Sequence, residues 1–155
     1  MESDNLYDNQ LFLNLMKSYL AQIDSAMKIS SILNEHSEDK ELTADDIICG
    51  LVYRLMVPMT QEEIDQSLNN ADEILNDVDE NIEEEYIEEE YDDIEETYEK
   101  PTISRKIKTN NCNCEICSKV RLCLINYKNY EPIDNLSLKF KDSITETCDK
   151  HKIYI

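Results

Sequence analysis

Three cysteines fall within six positions of "NNCNCEICSKV" (residues 110–120): Cys112, Cys114 and Cys117. Thiolates are soft metal donors, and the two-residue spacer between Cys114 and Cys117 is the knuckle that occupies one side of a tetrahedral zinc ion. Near the end of the chain, "CDKH" supplies a second half-site with the same spacer, Cys148 and His151. The spacing predicts one structural Zn2+ held by Cys114, Cys117, Cys148 and His151. Cys112 has three readings: an alternate ligand, a replacement for Cys114 in the knuckle, or an exposed neighbour. Cys49, inside "ADDIICGLVYRLM", and Cys123, on one stripe with Val120 and Leu124, read as core residues.

Catalytic chemistry finds little to work with. A filled Cys3His set leaves no coordination position for water. His36 and His151 are the only histidines, so a Cys/His nucleophile would compete with the metal for His151. The single glycine, Gly50, excludes a P-loop, a dinucleotide fingerprint and a nucleophile elbow, each of which needs several glycines. The expectation is a protein that is not an enzyme.

The ligands need elements to carry them. Val120, Cys123, Leu124 and Tyr127 recur at helical intervals, as do Leu136, Phe140, Ile144 and Thr147, with the turn "NYEPIDN" between the two runs. This predicts a helical hairpin over residues 100–155, its outer ends joined by the metal and its small core supplemented by ion binding. Upstream, Leu11, Leu15, Tyr19, Ile23, Met27 and Ser30, widened by Phe12, Met16 and Leu20, predict a long amphipathic helix from about residue 6 to residue 34. Thr43 with Asp46 predicts an N-cap for a helix through "ADDIICGLVYRLM" that Pro58 stops, and Thr60 with Glu63 predicts a third helix carrying Ile64, Leu68, Ala71 and Leu75. The fold class is mainly α.

Charge divides the chain into three. Residues 1–77 carry four basic and sixteen acidic side chains, residues 78–99 none and thirteen, and residues 100–155 eleven and six, within a net charge of -20. The boundaries expected are an acidic helical module, an acidic Ile/Tyr repeat ("IEEEYIEEEYDDIEETYE") acting as linker or marginal helix, and a basic zinc module. Such a charge opposes long-range attraction to DNA, RNA or anionic lipid. The function expected is therefore protein–protein interaction or a structural role, with a protein partner. The alternative is a nucleic-acid regulator in which Arg105, Lys106, Lys108, Lys119 and Arg121 contact phosphate while the acidic repeat competes for them. The acidic N-terminal residues and the lack of an apolar run near the roughly 20 residues that span a bilayer lead to the expectation of a soluble protein in a reducing compartment, without membrane association.

The blocks "TADDIICGLVYRLMVPMT", "CNCEICSKVRLCLINY" and "TCDKHKI" resemble a family of uncharacterised proteins from giant DNA viruses of the Mimivirus kind, over about two thirds of the chain. Low Gly with high Asn, Ile, Lys and Tyr usage is similar to that of their AT-rich genomes. The resemblance implies a setting, the infected cell's cytoplasm or the virion, and carries no activity.

Overall fold

In a computed structural model, which describes residues 2–82 and 103–155 and only the backbone of residues 2–7 and 78–82, four of the five described α-helices begin where a side chain accepts a free backbone N–H. Helix α1 (Glu2–Glu35) is the long amphipathic element. Helix α2 (Ala44–Met56) opens with a reciprocal box: Asp46 N–H donates to the Thr43 hydroxyl, and Thr43 N–H donates to the Asp46 carboxylate. It ends just ahead of Pro58, with Val57 extended. Helix α3 (Gln61–Ile82) starts with the Thr60 hydroxyl accepting Glu63 N–H. Helices α4 (Glu115–Asn126) and α5 (Asn135–Lys150) form the hairpin, α5 capped by the Asp134 carboxylate on Ser137 N–H. The fold is mainly α, as the periodicity requires. The Ile/Tyr repeat from residue 83 onward lies outside the described residues.

The chain divides into two units, Met1–Asp24 with Thr60–Glu99, and Ser25–Met59 with Lys100–Ile155. This differs from the charge-based boundaries, because α1 contributes to both units and α2 joins the C-terminal residues. Within the first unit, Lys17 pairs with Asp72 (2.8 Å) and Asn70 donates to Asp24 (3.2 Å), linking α1 to α3. The early apolar stripe of α1 is not core: Leu11 and Phe12 remain 52% and 61% exposed. The face that is buried farther along α1 consists of Ala21, Ser25, Ala26, Ile29, Ser30 and Leu33, mostly small side chains that hydropathy underrates.

In the second unit α2 packs on both α4 and α5. Ile48, Cys49, Val52 and Leu55 on α2, Val120, Cys123 and Leu124 on α4, and Phe140, Ile144 and Cys148 on α5 are buried. Tyr127 closes the hairpin, its hydroxyl bonded to the Lys141 carbonyl (3.0 Å) and the Thr145 hydroxyl (2.7 Å). Gly50 lets α2 approach α1, since a Cβ there would overlap the Ser30 hydroxyl and the Ala26 carbonyl. Strand β1 (Arg105–Lys106) pairs parallel with β2 (Ile153–Tyr154), through Arg105 N–H to Lys152 O and Ile107 N–H to Tyr154 O, both 2.9 Å. Two residues per strand are too few to leave an alternation pattern in a sequence. Their pairing holds the segment leading to Cys112 beside the end of α5. No helix among the described residues is long and apolar enough to cross a membrane.

Candidate metal centre

His36 is the first residue beyond α1, its N–H still bonded to Ile32 O (3.1 Å). Two neighbouring features fix that end of α1: buried Leu33, and the Gly50 approach one turn earlier. Opposite it stand Cys112 in the preceding loop, Cys114 at the N-cap of α4 and Cys117 in its first turn. His36 Nδ1 lies 3.2 Å from Cys112 Sγ, 3.2 Å from Cys114 Sγ and 3.7 Å from Cys117 Sγ. All four donor atoms fall within 4.8 Å of one another, so these residues could hold a metal ion.

Half of the set read from spacing is thus replaced. Cys114 and Cys117 are joined by Cys112 and His36, whereas Cys148 and His151 stand outside the cluster. The cause is helical geometry: Phe140, Ile144 and Cys148 share one buried face of α5, which directs the Cys148 thiol toward α2, near Cys49. His151 caps α5 through its N–H to Thr147 O (3.2 Å), and Lys152, at φ 52°, turns the chain into β2. Cys112 lies in the cluster together with Cys114, so it neither replaces Cys114 in the knuckle nor stands apart from it. The signal for His36 was arithmetic: C-x-C-x2-C offers three donors from one loop, and the chain has only two histidines to complete four.

The loop is held by groups the spacing did not single out. The Asn110 amide donates to Leu33 O (3.1 Å) and to Cys117 Sγ (3.3 Å), while its Oδ1 accepts Cys112 N–H (3.2 Å). Arg121 donates from Nη1 to Asn110 O (3.0 Å) and from Nη2 to Cys112 O (2.6 Å). Farther back, buried Asp45 accepts both Arg105 Nη1 and Nη2 at 2.8 Å and Lys108 N–H at 2.8 Å. Burial alone would raise the Asp45 pKa, but these donors outweigh it and hold the carboxyl below its ordinary value. Two ties, at Asp45 and at Asn110, therefore place the cysteine loop against α2 and the end of α1.

The same contacts bear on the cations read as phosphate ligands. Arg105 is engaged by Asp45, Arg121 by the loop carbonyls, and Lys119 by Glu115 at 3.1 Å. Lys106 and Lys108 are exposed.

Thiol acidity is unequal across the cluster. The Cys117 N–H bonded to Cys114 Sγ at the start of α4 is the main cause that lowers the Cys114 pKa to about 6, with further help from the Cys117, Cys112 and His36 side chains. Burial, reinforced by the neighbouring thiols, pushes Cys117 up to about 11 against the Asn110 hydrogen bond. A thiol of lowered pKa beside a raised one is an arrangement that a dication relieves, since a coordinated thiol is deprotonated outright.

No family model, curated protein or solved structure matches the chain. The resemblance to giant-virus proteins gains no support from these comparisons.

Proposed function

We propose that the chain is a non-enzymatic interaction module whose second unit is clamped by one structural zinc ion on His36, Cys112, Cys114 and Cys117. The observation that carries this reading is the convergence of four soft or borderline donors from segments 76 residues apart, at Cys112 and His36. Zn–S bonds of about 2.3 Å and Zn–N bonds of about 2.0–2.1 Å at the tetrahedral angle separate sulfur from nitrogen by about 3.6 Å. The three N···S distances, 3.2, 3.2 and 3.7 Å, lie around that figure. Three thiolates with an imidazole favour Zn2+ over hard cations such as Mg2+ or Ca2+.

Four protein ligands fill a tetrahedral ion and leave no site for a reacting water, which supports a structural role. Bridging the end of α1 to the start of α4 closes a long loop, and metal-binding free energy becomes folding free energy for a small core. The test is metal content with native mass on reduced protein. Wild type, Cys148→Ala and His151→Ala should each carry one zinc per chain, and His36→Ala and Cys114→Ser should carry none. Zinc that follows Cys148 and His151 instead, or reduced wild type that takes up no zinc, would overturn the reading.

A further inference from the structure

A second feature of this unit has a charge opposite to that of the whole chain. Arg121 also lines a groove of about 430 Å³, together with Lys106, Lys128 and an apolar floor formed by Leu124, Ile125 and Ile155 among others. No Asp or Glu side chain among the described residues lines it, in a protein of net charge -20. Among the described residues none of the three cations is paired with an acid; Arg121 is fixed instead on the Asn110 and Cys112 carbonyls, which orient its charge without neutralising it. Ile125 is 74% exposed beside this opening, an apolar surface that a monomer leaves to water at a cost of about 25 cal/mol per Å².

We propose that this groove binds an acidic peptide segment carrying isoleucine or tyrosine anchors, a partner chemistry that rests on the interaction-module reading and makes it specific. Two lysine heads and an oriented guanidinium meet carboxylates, and the Leu124, Ile125 and Ile155 floor takes the anchor. The floor decides between polyanions. A phosphate backbone gains nothing from branched aliphatic side chains, and single-stranded bases need aromatic platforms, which the groove lining lacks. An acidic peptide with apolar anchors gains from both halves of the groove. Long-range repulsion from the rest of the chain limits the on-rate, so binding is expected to be reversible and in the micromolar range.

The chain's own sequence contains a segment of this composition, which serves as the probe: a fluorescein-labelled peptide of residues 86–98, "YIEEEYDDIEETY". Its anisotropy would be titrated with full-length protein whose zinc content has been measured in the same sample. Expected are saturable binding, about tenfold weakening on raising the salt from low to several hundred millimolar, about tenfold weakening by Lys106→Glu/Lys128→Glu, and similar weakening by Ile125→Asp. A peptide with glutamine in place of every acid should not bind. Ile125 is largely exposed, so its variant keeps the fold, and circular dichroism confirms that for each variant. Absence of peptide binding by zinc-loaded, folded protein overturns the docking site and leaves the metal clamp standing. Reduced, folded protein that takes up no zinc overturns the clamp, and the peptide titration still decides the groove. An oligothymidylate that binds and is weakened by the same substitutions, while the peptide is not bound, overturns the proposal in favour of a nucleic-acid site.

Discussion

The six cysteines fall into two groups of three that share a side chain and little else. Cys112, Cys114 and Cys117 stand in a loop and at the first turn of α4, with their sulfurs gathered around His36. Cys49, Cys123 and Cys148 lie inside helices on buried faces. Burial pushes the Cys49 thiol up to about 12 and raises Cys123 and Cys148 as well, as it does Cys117 at the edge of the other group, whereas the Cys117 N–H at the start of α4 brings Cys114 down to about 6. The difference teaches that a cysteine's chemistry follows from the backbone that carries it. An interior helical position offers a thiol only neighbouring side chains, while a loop entering a helix offers unpaired N–H groups and freedom for several sulfurs to converge.

The sharpest way to break this contrast is to remove one member of each group. Cys114→Ser should abolish zinc binding and cost several kcal/mol of stability, because structural zinc supplies on the order of 10 kcal/mol in small domains and part of that holds the second unit together. Thermal unfolding should move by more than about 10 °C, and a chelator added to wild type should reproduce the shift. Cys123→Ala should cost about 1–2 kcal/mol through a small cavity and leave one zinc per chain. Equal losses from the two variants, with zinc retained in both, would show that the loop cysteines are packing residues too.

A smaller effect separates the ligands from what holds them. Arg121→Met keeps the apolar stem of the side chain and removes the donors to the Asn110 and Cys112 carbonyls. Groups of this kind around a metal typically change affinity by about 10–100-fold. Competition with a chelator of known affinity should show that loss at unchanged stoichiometry. An unaltered zinc affinity would mean that the cysteine loop is ordered without Arg121.

What the sequence disclosed follows the same division between local and remote. Caps were legible: Thr43 with Asp46, Thr60 with Glu63 and the stop before Pro58 all act within one turn, and the structure realises each. The hairpin core was legible because Val120, Cys123, Leu124, Phe140 and Ile144 repeat at helical intervals. Cys114 and Cys117 were legible from their two-residue spacer, which is also a local pattern. His36 was legible only by counting, as one of two histidines, since it reaches the loop through tertiary ties, Asp45 to Arg105 and Asn110 to Leu33, that have no sequence periodicity. The "CDKH" spacing misled because two-residue spacers recur on any helix, where the buried face decides what a side chain meets. The apolar start of α1 misled in the opposite sense: hydropathy predicted burial for Leu11 and Phe12, and the helix buries its small residues instead.

The smallest effect concerns the tie that brings the two cysteine groups into one unit, Asp45, which stands on the helix of Cys49 and holds the segment that leads to Cys112. Its carboxyl pKa is lowered in the folded protein, so its contribution to stability is fully present above the unfolded carboxylate value of about 4 and is lost as pH falls through the lower folded value. Asp45→Asn keeps one acceptor oxygen and loses the charge-assisted bidentate pair, which predicts a deficit of about 1–2 kcal/mol at neutral pH, moderated because Arg105 is partly exposed to water. Denaturant melts of both proteins, each stripped of metal so that acid release of zinc does not enter, should diverge at pH 6 and converge only at a pH below the lowered folded value, where wild-type Asp45 is protonated as well. A gap that stays constant down to that pH would assign Asp45 a role in shape alone. Closure of the gap would assign it to charge, and would place the acid limit of the cysteine loop's docking at a single carboxyl outside the His/Cys cluster.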